Sequence, residues 1–198
     1  MTIYTPRFDS PIAVDAYANQ TSKTENLRLA DLTGAPVVLI QGDAGEVLAE
    51  QFPDLPEQPG SLVDIPGGVL ARLTPHEFYL FGLSVGAELP GTRALNDRLI
   101  AAGSAAHATD FSHGRALLKL AGPAADEMLS KICGLDFYDL SFPTRQVKQT
   151  SAAKIKTLIV RRDEGSTLVY HLHVNRPFAQ YFWDIVWDAG QEFGIEVA

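Results

Sequence analysis

A chain of 198 residues, 46% of them apolar and 20% charged, falls in the ordinary globular class, which excludes a disordered or fibrous organisation. Its net charge of −8 argues against nucleic acid as a partner, and no apolar run approaches the ~18 residues of a membrane span. The lone cysteine, Cys133, has no partner for an internal bridge, and the start of the sequence lacks a basic-then-apolar leader pattern, so a reducing, cytoplasmic setting is expected.

In chain order, residues 1–34 are polar and without a sustained period, and are expected to form an N-terminal arm. The sequon Asn19-Gln20-Thr21 within it has no chemical meaning in a reducing compartment. Val37-Val38-Leu39-Ile40 predicts a buried strand, and a short helix with Val47, Leu48 and Phe52 on one side follows, ending in a proline-rich loop at 53–59. Segments 69–73 and 77–81 flank Thr74-Pro75-His76 and predict a hairpin. Thr92 is placed to cap a helix that carries Leu95, Leu99 and Ala102, with Gly103 as its left-handed stop. Strands are expected at 106–111 and 115–120, on either side of the turn-compatible pair His113-Gly114. Pro123 suits the first turn of the next helix, where its missing N–H costs nothing; Ala125, Met128, Leu129 and Ile132 form the stripe and Gly134 closes it. Further strands are expected at 155–161 and 167–174. In the second, Leu168, Tyr170, Leu172 and Val174 share one face, and Thr167, Val169, His171 and His173 the other.

A last helix, expected over 178–193 with Gly194 past its end, is apolar nearly all round. Phe178, Phe182, Ile185, Ala189 and Phe193 make one stripe, but Tyr181, Trp183, Val186 and Trp187 spread to other faces. Such a helix must be covered on more than one side, either by this chain or by a partner for which Phe178, Tyr181, Trp183 and Trp187 would be anchors. The charges are also segregated. Asp31, Asp43, Glu46, Glu50, Asp54, Glu57 and Asp64 fall in a stretch without Lys or Arg, whereas Arg145, Lys148, Lys154, Lys156, Arg161 and Arg162 fall in one without acids. Two solvated faces of opposite sign would account for this. The alternative is a basic segment that meets an acidic partner or an anionic ligand.

Residues with catalytic potential are scattered. Gly42-Asp43-Ala44-Gly45 lacks the spacing and following Lys of a phosphate loop, and no G-x-G-x-x-G follows a strand. His171 and His173 supply two ligands on one strand face, which do not make a metal site, and Cys133 reads as a small buried hydrophobe. Asp110, Ser112 and His113 are too close in sequence to line up as orienter, nucleophile and base; Asp110 and Ser112 are expected to tie down a turn instead.

Several boxes together carry a resemblance. Asp110-Phe111-Ser112-His113-Gly114-Arg115, Leu120-Ala121-Gly122-Pro123-Ala124-Ala125, Cys133-Gly134-Leu135-Asp136 and Phe142-Pro143 resemble the gamma subunits of heterotetrameric sarcosine oxidase, a branch of the folate-binding aminomethyltransferase superfamily. Leu73 to Leu80, Gln149-Thr150, the strand 157–162 and Arg176-Pro177-Phe178-Ala179 with Trp183 extend the likeness over about residues 36–196. Where catalytic relatives place an acidic residue that meets the folate, this chain has Lys156-Thr157, and a cation cannot accept a proton there. Pro177 replaces a family serine, and Asn175 is expected to take over its capping role.

The resemblance implies an α+β fold of antiparallel sheets with packed helices, divided into a first subdomain at 35–90 and a second at 91–198. It implies a non-catalytic subunit of a complex that demethylates sarcosine to glycine, with hydrogen peroxide and methylene-tetrahydrofolate as products. No catalytic, cofactor or metal residue is then expected on this chain. FAD, FMN, NAD and tetrahydrofolate would sit on the larger alpha, beta and delta partners. The partner interface is expected at Arg145, Lys148, Lys154, Lys156, Arg161, Arg162, Arg176, Phe178, Tyr181, Trp183 and Trp187. The competing expectation is a free-standing folate-binding protein of one-carbon metabolism.

Overall fold

The structure, a computed structural model, describes residues 9–17 and 26–198. The remainder of the expected arm, the sequon included, lies outside the described residues.

Two sheets stack face to face between two pairs of helices. One sheet has five strands in the order β3-β4-β5-β2-β6, formed by β2 (Val37–Gln41), β3 (Leu62–Ile65), β4 (Gly68–Thr74), β5 (Glu77–Gly82) and β6 (His107–Asp110). All its pairings are antiparallel. The other has six strands in the order β11-β1-β7-β10-β9-β8, formed by β1 (Leu27–Asp31), β7 (Arg115–Ala121), β8 (Gln146–Ala152), β9 (Ile155–Arg161), β10 (Val169–Asn175) and β11 (Ile195–Val197). Only β1 and β11 pair in parallel.

The two-residue period of the strands explains the layering. In β5, Phe78 and Leu80 turn towards α1 (Gly45–Gln51) and α2 (Thr92–Ala101), where they meet Leu48, Leu95 and Leu99. Tyr79 and Phe81 turn the other way, onto Val147, Leu158 and Val160 of the six-stranded sheet. In β10, Tyr170, Leu172 and Val174 face α3 (Ala125–Ile132) and α4 (Ala179–Gly190), together with Met128, Phe182 and Trp183. Strands buried on both faces read as continuous apolar runs, which is why β4 and β5 were legible as strands but gave no alternation. Each Leu or Phe fully buried in these layers contributes roughly 1.5–3 kcal/mol.

The chain passes between the sheets twice on one side of the stack. Leu32 N donates to Leu117 O and Phe111 N to Val37 O, both within 2.9 Å. Thr33 Oγ1 accepts from Leu117 N at 3.1 Å, and Ser112 Oγ accepts from Val37 N at 3.0 Å. On another side the sheets share backbone hydrogen bonds: Leu62 N donates to Arg145 O at 3.1 Å, and Val147 N to Gly60 O at 2.8 Å.

Several expectations change. Leu27–Asp31 is not part of a loose arm but a strand between β11 and β7, with Leu27 and Leu29 fully buried. Segments 107–110 and 115–121 do not form a hairpin; the chain leaves one sheet and enters the other through a single 3-10 turn, Ser112–Gly114. As a result α2 and β6, expected to open a second subdomain at 91, pack with the first sheet. β3 and β8 had no counterpart in the sequence reading. β8 is a polar edge strand that buries only Val147 and Ala152. Thr92 is the first helical residue of α2, and extended Gly91 occupies the cap position with no side-chain hydrogen bond. Gly103 does take a left-handed conformation, φ 70°. Gly122 is needed for closeness as well as for its φ of 135°: a Cβ there would lie 2.1 Å from Asn26 O.

Candidate partner surface

The terminal helix turns out to be covered mostly by its own chain. Trp183 is 0% exposed and Trp187 6%, and both belong to the core that includes α3 and the six-stranded sheet. Their other side is closed by residues 9–17. Ile12 is buried, and the Tyr17 ring lies 6.0 Å from Trp183 and 5.4 Å from Trp187. That segment is pinned down by Ala13 N, which donates to Gln180 Oε1 at 2.8 Å, and by the Tyr17 hydroxyl, which donates to Asp184. The Asp184 hydrogen bond holds the Tyr17 pKa above its ordinary value. Trp183 and Trp187 are thus removed from the expected interface, because the chain supplies their cover. Phe178 and Tyr181, 47% and 50% exposed, stay at the surface beside Arg176, whose guanidinium donates to Asp9 O. Asn175 does not cap the helix; its Oδ1 accepts from Arg115 at 2.9 Å.

The basic segment is spent largely within the chain. Arg161 is buried: it donates to Phe142 O at 2.5 Å, to Asp139 at 2.6 Å and to Asp163 at 2.9 Å. It cannot meet a partner. Arg145 and Arg162 both grip Asp64, at 2.7 and 2.5 Å, so one acid of the acidic stretch ties down two cations of the basic stretch across the junction of the two sheets. Lys148 donates to Ser141 O at 2.6 Å and lies 4.8 Å from the centre of the Phe142 ring. Lys154 and Lys156, on the β8–β9 turn and just beyond it, are exposed and make no ion pair among the described residues.

His171 and His173 face inward between the sheets, fully buried, with the His173 ring 4.3 Å from that of Phe81. No ring nitrogen of either has a hydrogen-bond partner among the described residues. Burial pushes the His171 pKa down to about 4, helped by Lys119, and that of His173 well below its ordinary value, helped by His171 and Arg115. Both are therefore neutral, apolar-behaving rings. Among the described residues no group of three or more His, Cys, Asp or Glu is placed to hold a metal ion. Cys133 is buried, its Sγ 3.8 Å from Thr150 Oγ1. Asp110 and Ser112 do tie the turn: Ser112 Oγ and N donate to Asp110 Oδ1 at 2.6 and 2.9 Å, which lowers the carboxyl pKa. At Lys156-Thr157, where the resemblance led to the expectation of an acid in catalytic relatives, Thr157 is buried and donates to Ile155 O at 3.0 Å, while Lys156 is exposed.

One surface escaped the sequence reading. The loop between α3 and β8 leaves Tyr138 80% and Leu140 100% exposed, while Phe137 and Phe142 on either side of them are buried. A Tyr and a Leu set between two phenylalanines in an acid-bearing, irregular stretch were the available signal, obscured because no regular element carries it.

A family model, the GCVT N-terminal domain, matches residues 60–198. The sarcosine oxidase subunit gamma of Corynebacterium sp. (strain P-1) is 30% identical over 183 residues, which cover 89% of this chain and 85% of that protein. Mitochondrial dimethylglycine dehydrogenase of Homo sapiens is 29% identical over 135 residues, but those span only 16% of its length, so the chain corresponds to a small part of that relative. Among solved structures, a chain of the heterotetrameric sarcosine oxidase of Corynebacterium sp. U-96, in complex with pyrrole 2-carboxylate, superimposes with a TM-score of 0.75 at 25% identity. That match covers 91% of this chain and 92% of that one.

Proposed function

The chain belongs to the sarcosine oxidase gamma-subunit family, within the GCVT N-terminal domain class, and from that premise we propose that it is the small, non-catalytic subunit of a heterotetrameric sarcosine oxidase. The observation that carries the reading is the end-to-end match: 85% of the gamma subunit's length is covered, against 16% of a dehydrogenase in which the same kind of module is one part of a longer protein. The matched stretch is thus comparable in length to a whole gamma subunit. The free-standing folate-binding alternative is not favoured, since the match runs along most of a gamma subunit, and Lys156 and Thr157 stand where the resemblance places the acid of the folate contact.

In the proposed complex the alpha, beta and delta partners hold FAD, FMN, NAD and tetrahydrofolate. They convert sarcosine to glycine with release of hydrogen peroxide and formation of methylene-tetrahydrofolate. The described side chains fit a buttress better than a reaction centre, because the buried ionisable groups are either paired, as Arg161 is, or held neutral, as His171 and His173 are. Of the expected interface, the proposed contact residues are exposed Phe178 and Tyr181 with half-buried Arg176 at the start of α4, and exposed Lys154 and Lys156 at the β8–β9 turn; Arg145 is exposed too but is held by Asp64. A cytoplasmic setting belongs to the same proposal.

The test is co-expression of the chain with the larger flavin and folate subunits of a heterotetrameric sarcosine oxidase from the same source, followed by purification through a tag on the chain. A stoichiometric complex that produces hydrogen peroxide from sarcosine is expected. A folded chain that never co-purifies, or that binds tetrahydrofolate alone at micromolar concentration, would overturn the reading.

A further inference from the structure

The loop between α3 and β8 is built as a rigid apolar projection with an acidic collar. Its base is fixed from several directions. Phe137 and Phe142 are buried beside Tyr170, with ring centres 5.7 and 6.1 Å from it. Arg161, itself buried, reaches up to Phe142 O and to the Asp139 carboxylate. Asp136 accepts from the Ser141 hydroxyl and from Tyr138 N, which closes the loop on itself and lowers the Asp136 pKa. Lys148 holds Ser141 O.

This framework presents Leu140 at 100% exposure and Tyr138 at 80%. Scattered single apolar residues on a surface are ordinary, but a buried arginine and two buried phenylalanines here order the loop that carries two of them. Two clefts share Asp126 and Tyr138 as walls, with volumes of about 580 and 300 Å³. Around them stand Asp126, Glu127, Asp136 and Asp139.

The geometry points to this loop as a docking knob for one of the larger subunits, seated in an apolar socket rimmed by Lys and Arg. This deepens the subunit reading and rests on it. A preordered loop adds little ordering cost to association, and a fully exposed leucine gains its whole side-chain burial when a socket covers it. The collar sets the sign of the partner: beyond Asp139, which Arg161 already pairs, Asp126, Glu127 and Asp136 fit a basic rim, the opposite of the acidic partner that the basic segment suggested. A second copy of this chain fits poorly, since each brings a net charge of −8 and the same acidic collar.

The experiment titrates the full-length chain into the larger subunits of the same oxidase, purified without it, and follows binding rates at low and high salt. Leu140→Asp is expected to weaken binding by roughly 30-fold or more, as a central anchor does. Its melting temperature should not change, since the side chain buries nothing within the chain. Glu127→Lys is expected to slow association about threefold at low salt and to match the wild type at high salt. Equal affinity for Leu140→Asp and wild type would overturn the docking knob and leave the subunit reading standing. A wild-type dimer that Leu140→Asp dissolves would overturn it in favour of a second copy. No binding by the wild type at all would defeat the subunit reading, and the knob with it.

Discussion

His171 and His173 were legible as an inward-or-outward pair on one strand face, but not as rings sealed between two sheets. Nothing in the sequence says that a second sheet lies over that face. Their burial has a sign that can be worked out. In the unfolded chain each imidazole takes up a proton near its ordinary pKa of about 6.5, whereas folded His171 does so only near 4. Between those values the unfolded state binds more protons, so stability is fully present above about pH 6.5 and is lost as pH falls towards 4. His171 alone accounts for on the order of 3 kcal/mol of this loss. His173 acts in the same direction. Urea midpoints are expected to drop steeply between pH 7 and pH 4.5, and the drop should be smaller in His171→Leu. A midpoint flat across that range would contradict the assignment of neutral buried rings. Trp183 yields a simpler expectation. Its removal from the centre of the α4 core by Trp183→Ala should cost about 3–5 kcal/mol in a denaturant melt. An interface tryptophan would instead leave the isolated chain's stability nearly unchanged.

Helices and long strands were legible where one face is apolar and the other is not, as in α3 with Met128 and Leu129 against Asp126 and Glu127. β9 was expected at 155–161 and is found there, because Leu158, Ile159 and Val160 are buried in one run. β8 was missed since only two of its residues are buried and the rest look like loop. Which strands pair was less legible still. β6 and β7 are neighbours in sequence but lie in different sheets, and the cause is a turn held by Ser112 and Asp110 rather than any property of the strands themselves. The outer edge of β6 shows another element-level device. Asn96, on α2, donates from Nδ2 to Ala108 O at 2.9 Å and accepts from Ala108 N at 2.7 Å, so a side chain occupies the groups a further strand would use. Asn96→Ala should cost about 1–3 kcal/mol in stability, because the Ala108 backbone groups lose their partner. It should also raise the tendency to self-associate, measured by light scattering at high protein concentration. Unchanged stability and scattering would show that the edge needs no such cover.

For the whole molecule, the order and spacing of the boxes along the chain pointed to the family, while elements of the fold run across the boundaries expected between arm and subdomains. The reason is topological. Composition changes at residue 35, but the polar stretch before it contributes β1 to the far sheet. Part of the expected interface is buried or paired within the chain for a related reason. Charge segregation along the sequence is no guide to charge segregation in space, and here Asp64 of one sheet meets Arg145 and Arg162 of the other. Because that junction is partly exposed, Asp64→Asn should lower stability by only about 0–1 kcal/mol, and less in high salt. A loss of several kcal/mol in a thermal melt would show that the junction holds the sheets together more strongly than its exposure allows.

The placement of β1 also bears on the order in which the protein forms on the ribosome. Every strand of the five-stranded sheet has been delivered once Asp110 is made, so that layer can assemble early with α1 and α2. β1, synthesised before all of them, must wait with Leu27 and Leu29 uncovered until β7 arrives, and longer for β11. Nascent chains stalled far enough past Asp110 for β6 to clear the ribosomal exit tunnel, but with β7 still inside it, should therefore protect the first layer from protease while remaining open to cleavage around residue 29, a window in which a chaperone has an apolar strand to hold.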